Sequence, residues 1–141
     1  MRAVKTELVA YPAGGRAMRG ARRLAAVALL AAAIGPPALG QPKVAGGLLV
    51  NRGGMTLYTF DNDVAGSGRS VCNPPCSNLF KPYLLEKGAR AQGELSVVTR
   101  DDGRLQWAYK GKPLYLWYAD EKPGQTGGDG MNRNIWHLAL P

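Results

Sequence analysis

Two cysteines, Cys72 and Cys76, stand four positions apart in "CNPPC". Such a pair can close a small disulfide, hold a soft metal such as Cu(I) as two thiolates, or exchange with other thiols. Exchange usually uses Cys-x-x-Cys with a neighbouring base, and neither feature is present. The Cys-x-x-Cys-His pattern of covalent haem is also missing. Met55, Met131 and His137, the single histidine, are further soft ligands in principle. Nothing in the spacing brings them to the cysteines. A structural disulfide and no cofactor is therefore the leading expectation, and copper held by Cys72, Cys76 and His137 is the alternative.

The carboxylates fall in a pattern. "LYTFDND" ends at Asp63 and "LYLWYAD" ends at Asp120, both on the skeleton Leu-Tyr-x-aromatic-x-x-Asp. An Asp that follows a strand commonly fixes the next turn by accepting backbone N–H bonds. Asp61 and Asp63 have the spacing of a calcium loop, but such a loop needs more oxygen ligands and a bidentate Glu. His137 lies in the terminal strand "IWHLAL", with Ile135 and Ala139 expected on its face and Trp136 on the other. No Gly-x-Ser-x-Gly elbow is present, and no spacing singles out a catalytic carboxylate pair. "GSGRS" and "GQTGGDG" lack the Lys-Ser/Thr ending of a phosphate loop and read as mobile loops. These patterns do not predict an enzyme.

Tyr58 and Phe60, and Tyr115 and Trp117, alternate along extended segments, so each pair shares one face. Large rings in that arrangement form the core of a small β domain. Exposed in a groove, they would instead make a stacking platform for a glycan or peptide.

The two skeletons are copies. At an offset of 57 residues Gly54 matches Gly111, Leu57 matches Leu114, Tyr58 matches Tyr115, Phe60 matches Trp117 and Asp63 matches Asp120. "RGG" precedes the first copy and "KGKP" the second, each placed as a hairpin turn. "DDG" supplies another turn between "ELSVVTR" and "RLQWAY". Pro74 and Pro75 exclude a helix running through the cysteines. The expectation is a mainly β, antiparallel domain over residues 48–141, built from two related hairpin units. It should have four to seven short strands, little helix and long Gly- and Pro-rich loops, after a flexible lead-in at 41–47.

The charge balance concerns export. The net charge of +8 includes Arg2, Lys5, Arg16, Arg19, Arg22 and Arg23, opposed only by Glu7, before residue 41. From Gln41 onward the balance is 12 basic against 9 acidic residues, which gives little reason to expect nucleic-acid binding. Arg19, Arg22 and Arg23 precede the apolar run "LAAVALLAAAIG", and "ALG" fits cleavage before Gln41. The run spans about 18 Å as a helix, short of a bilayer core of about 30 Å. Residues 1–40 thus read as a cleaved signal helix. Met18 opens a conventional n-region, which makes residues 1–17 a start-site artefact. No Cys follows the run, so the expectation is no lipobox and no stable membrane anchor after cleavage. Export places the cysteines in an oxidising space.

The motifs "LYTFDND", "SVCNPPCSNLFKP", "RDDGRLQWAYKGKPLYLWYAD", "KPGQTGGDG" and "IWHLALP", in this order, resemble a secreted-repeat or predicted-lipoprotein family. That family is defined by a Tyr-x-(Phe/Trp/Tyr)-x-x-Asp motif. The resemblance covers nearly all of residues 46–141. It implies a bacterial exported protein, periplasmic or secreted, of unknown function. The chain departs from the family in lacking a lipobox and in reading Phe80-Lys81-Pro82 where Trp-Pro-Pro is usual. The expected role is a non-catalytic envelope module, binding or structural, with an unidentified envelope partner or small ligand. The alternative is a periplasmic copper or redox protein.

Overall fold

A computed structural model describes residues 40–141, together with Gly14 alone from the segment before them. The expected signal helix and the start-site reading lie outside the described residues, which reach back only to Gly40. Among the described residues, no helix is long and apolar enough to cross a membrane.

The described chain forms nine short strands and two four-residue helical turns. The first repeat holds β1 (Lys43–Ala45), β2 (Leu48–Val50), β3 (Leu57–Phe60), α1 (Cys76–Leu79) and β4 (Phe80–Pro82). The second holds β5 (Leu95–Thr99), β6 (Leu105–Tyr109), β7 (Lys112–Pro113), β8 (Tyr115–Trp117), α2 (Met131–Asn134) and β9 (Trp136–Leu138). All pairings are antiparallel, in a two-stranded sheet β1-β2, a three-stranded sheet β5-β6-β7 and a central sheet ordered β4-β8-β3-β9.

The central sheet alternates strands of the two repeats. Tyr58 lies opposite Tyr115 where β3 meets β8. β4 then pairs with β8 of the other repeat, and β9 pairs with β3. Each repeat lends its return strand to its neighbour. Neither repeat can complete this sheet alone.

Local chemistry explains the elements. Leu-Tyr-Thr-Phe and Tyr-Leu-Trp are aromatic-rich segments suited to a pleated surface. Lys110 and Gly111 both have positive φ, 48° and 78°, as a two-residue hairpin turn between β6 and β7 requires. A Cβ on Gly111 would stand 2.5 Å from the backbone nitrogen of Gly66, so only glycine fits.

Strand alternation divides the apolar residues between two clusters. Leu57, Leu114, Leu49, Trp107 and Ala139 form one. Tyr58, Phe60, Tyr115, Phe80, Trp136 and Cys72 form the other. Both faces of the central sheet are therefore covered, which is why its strands carry few polar residues.

Several details differ from the sequence reading. Nine strands replace the expected four to seven, because the motif strands pass from one sheet into the next: β7 and β8 are separated only by Leu114. The 41–47 segment contains β1, paired with β2 from Lys43–Val50 to Ala45–Leu48, and is not simply a flexible lead-in. The first unit is an incomplete hairpin, since beyond its turn only a Val50–Thr56 bridge joins its arms. Ile135 packs with the Trp136 cluster and not on the face of Ala139. "GQTGGDG" is packed as well. A Cβ on Gly128 would come within 3.0 Å of Phe80, Trp117 and Tyr58, so the missing side chain lets the backbone lie against the rings.

Candidate functional site

The repeated Tyr and Asp are exchanged between repeats. Tyr58 donates its hydroxyl to Asp120 Oδ2 at 2.5 Å, and Tyr115 donates to Asp63 Oδ2 at 2.5 Å. Each Asp uses its other oxygen to accept a backbone N–H from the loop that follows it. Val71 donates to Asp63 at 2.7 Å and Gly127 to Asp120 at 3.0 Å. The turn-fixing role expected for the two carboxylates is one half of their geometry. The other half is a two-way clasp that follows from the opposition of Tyr58 and Tyr115 across β3 and β8.

The two halves of the clasp differ in burial and charge. Behind Tyr115 lies Ser70, 2.6 Å from its hydroxyl, and behind Ser70 lies the buried Arg100 at 3.0 Å. Because the Tyr115 proton points to Asp63, Ser70 donates to Tyr115 and accepts from Arg100. Arg100 also donates to Gln106 Oε1 at 2.7 Å and to the carbonyl of Cys72 at 2.5 Å. An otherwise costly buried cation is thus paired through a chain of hydrogen bonds to a buried carboxylate. Tyr58 has no such chain; its hydroxyl accepts the N–H of Gly128 at 3.2 Å.

Burial shifts these groups. The Asp63 carboxyl is raised, mainly by desolvation, against the lowering effects of Tyr115, Val71 and Arg100. Tyr58 and Tyr115 are pushed far above the ordinary phenol value, first by burial and then by the hydrogen bonds to Asp120 and Asp63. Phenols so held are poor proton donors in turnover, and the partners of Tyr115 are turned inward.

A column of four rings runs beside the clasp. Trp117 lies 4.5 Å from Phe80 between ring centroids, Phe80 lies 3.5 Å from Trp136, and Trp136 lies 4.3 Å from Phe60. The central pair is nearly parallel, at 4°, and takes one ring from each repeat. Tyr115 meets Trp136 edge-on at 5.0 Å. Of the four motif aromatics, Tyr58, Tyr115 and Phe60 are buried, and Trp117 is partly exposed.

An open cleft of about 470 Å³ lies over this column. Phe60, Phe80, Trp117 and Trp136 line it, with Leu79 from α1 and Met131 from α2. Leu79 and Met131 are 48% and 38% exposed, so the rim is open to solvent. Its polar lining comes from Asn62 and Asn132, and no charged side chain contributes. Among the described residues, other clefts carry charge, such as one with Glu86 and Lys87, one with Lys110 and Lys112, and one with Lys81 and Arg104.

The rim at α2 is strained. Asn132, Arg133 and Asn134 have φ of 50°, 60° and 62°, a run of left-handed residues without a glycine. Asn tolerates this region; Arg133 adopts it at a cost of roughly 1–2 kcal/mol. Strain of this kind concentrates at ligand clamps and switch segments.

Cys72 and Cys76 form a disulfide. Cys72 is fully buried, and Cys76 lines the cleft. Copper held by their sulfurs would first require reduction of this bond. His137 is not brought to them; its Nε2 lies 2.8 Å from Asp61 Oδ2, in an exposed pair. Among the described residues, no group of three or more His, Cys, Asp or Glu side chains is placed to hold a metal ion. Ser70, Arg100, Gln106, Phe80 and Trp136 were not singled out by the motif. The only sequence signal for the last two is their position, each opening a short strand after a Gly-, Pro- and Asn-rich stretch.

A family model described as "secreted repeat of unknown function" matches residues 43–81 and again 96–139. The chain belongs to this family of secreted repeats. The first match ends within β4 and the second begins within β5, so the matched repeats are the two interlocked halves of the fold. The family's description supports export. No curated protein and no solved structure matches the chain.

Proposed function

We propose that this secreted-repeat protein is a non-catalytic binding module of the bacterial envelope, periplasmic or released, whose ligand seat is the cleft between Leu79 and Met131. One observation carries the reading: an uncharged, solvent-open cleft of about 470 Å³ lies over the joint ring column of both repeats. Its size falls within the range of small-molecule sites, roughly 300–1,000 Å³. The polar groups of the clasp are consumed in holding the two halves together. Asp63, Tyr115, Ser70 and Arg100 bond to one another, which favours a scaffold role for the motif over catalysis. The exposed Asp61–His137 pair lies apart from this network, and Thr59 faces His137 across the strands.

The test is a methyl-detected NMR titration of the purified protein with a panel of small apolar fragments. Leu79 and Met131 methyl signals should shift together, with Leu49 and Leu114 unmoved. Met131→Asp should abolish the shifts while leaving the remaining spectrum intact. A panel in which no fragment moves Leu79 or Met131 contradicts the proposal.

A further inference from the structure

The four residues of α1 divide between two clefts. Residues three apart on a helix share a face, and Cys76 and Leu79 line the apolar cleft. Ser77 and Asn78, on the other side, line a second cleft of about 470 Å³. β4 divides in the same way: Phe80 lines the first cleft and Lys81 the second, as alternation along a strand requires. Arg104, the residue before β6, also lines the second cleft.

This second cleft is basic and polar. Lys81 and Arg104 bring two positive charges to it, and among the described residues no carboxylate lines it. Asn78, Lys81 and Arg104 are exposed and Ser77 is partly exposed, so all four are open to a ligand. Arg104 is already set in place: Asp102 accepts its backbone N–H at 3.0 Å and its Nε–H at 2.8 Å. Among the described residues its two terminal nitrogens have no partner, and neither have the Lys81 ammonium, the Ser77 hydroxyl or the Asn78 amide. A guanidinium held at Nε offers the remaining N–H groups as a planar fork, which matches the oxygens of a carboxylate or phosphate. The nearby acids lie elsewhere. Asp102 is bonded to Arg104, Asp101 accepts from the Asn73 amide at 2.8 Å, and Glu86 lines the adjoining cleft that shares Arg104.

We propose that this second cleft binds a small hydroxylated anion of the acidic-sugar class. Its carboxylate or phosphate lies on the Arg104 fork and Lys81, and its hydroxyls meet Ser77 and Asn78. The volume falls within the range of small-molecule sites, roughly 300–1,000 Å³. The site lies across α1 from the Leu79–Met131 seat and stands whether or not that seat takes a ligand.

The experiment titrates the purified protein with glucose, glucuronate and glucose 6-phosphate at constant ionic strength, read by backbone amide NMR. Glucuronate, glucose 6-phosphate or both should give saturable shifts at Ser77, Asn78, Lys81 and Arg104, and glucose should give none. Binding of glucuronate alone assigns the site to carboxylates, and of glucose 6-phosphate alone to phosphates. Arg104→Lys keeps the charge but loses the fork, and should weaken binding about 10-fold. Lys112→Met removes a charge from a different cleft and should leave the affinity unchanged. The proposal is overturned by absence of saturable shifts with either anion, by equal shifts with glucose, or by Arg104→Lys weakening binding no more than Lys112→Met does.

Discussion

Tyr58 of the first repeat donates its hydroxyl to Asp120 of the second, 62 residues away, at 2.5 Å. The carboxylate of its own motif, Asp63, belongs instead to Tyr115. The motif is a clasp whose two halves are completed by exchange. It builds the ring column between the repeats, and the column forms the floor of the cleft.

Loss of one phenol oxygen should therefore loosen the whole domain. Tyr115→Phe leaves buried Asp63 and Ser70 each short of a partner, and should cost about 1–3 kcal/mol of stability. Tyr58→Phe should cost less, because Asp120 is less buried than Asp63. Urea denaturation of the two variants checks the order.

Asp63 gives a pH dependence of defined sign. Its carboxyl is raised from 3.8, so the folded state holds the proton more tightly than the unfolded chain. That contribution to stability is fully present below the unfolded value and is lost as pH rises through the higher folded value. Exposed Asp102 acts in the opposite sense. Hydrogen bonds from the Arg104 backbone N–H and then its guanidinium lower its pKa, so its contribution is lost as pH falls. Comparing denaturation midpoints of the protein and Asp63→Asn across mildly acidic pH isolates the Asp63 effect. The variant should lack the stability decrease with rising pH that Asp63 supplies.

The Lys110–Gly111 turn should tolerate no side chain. Gly111→Ala adds backbone overlap with Gly66 to an unfavourable φ, whereas Gly46→Ala, at φ 57° with no atom within 4 Å, pays the φ term alone. The expected costs are about 1–2 kcal/mol for Gly46→Ala and about 2–5 kcal/mol for Gly111→Ala. Thermal or urea denaturation of both variants measures the difference.

The disulfide closes a very short loop, so its removal should cost only about 2 kcal/mol by the chain-entropy estimate. The Cys72→Ser, Cys76→Ser double variant should stay folded, because Arg100 still holds the carbonyl of residue 72. An Ellman assay on the purified protein should detect no thiol before reduction.

Much of the fold was legible because it is local. Gly54 and Gly111, the alternating rings and "CNPPC" announce turns, strands and a bridge through spacing alone. The exchange of partners was not legible. Tyr58 and Asp63 lie five positions apart in one motif, and only the β3–β8 register directs each to the other copy. Arg100 was equally hidden: in "TRDDG" it reads as one of several turn charges, yet it is buried under the cysteine loop. The column was missed because two of its rings, Phe80 and Trp136, lie outside the repeated skeleton and meet only after each return strand crosses to its neighbour.

A double-mutant cycle tests the exchanged clasp most directly. Tyr58→Phe and Asp120→Asn should be coupled by about 0.5–3 kcal/mol in unfolding free energy, and Tyr58→Phe and Asp63→Asn should be nearly additive. Strong coupling of Tyr58 with Asp63, and additivity with Asp120, would contradict the account.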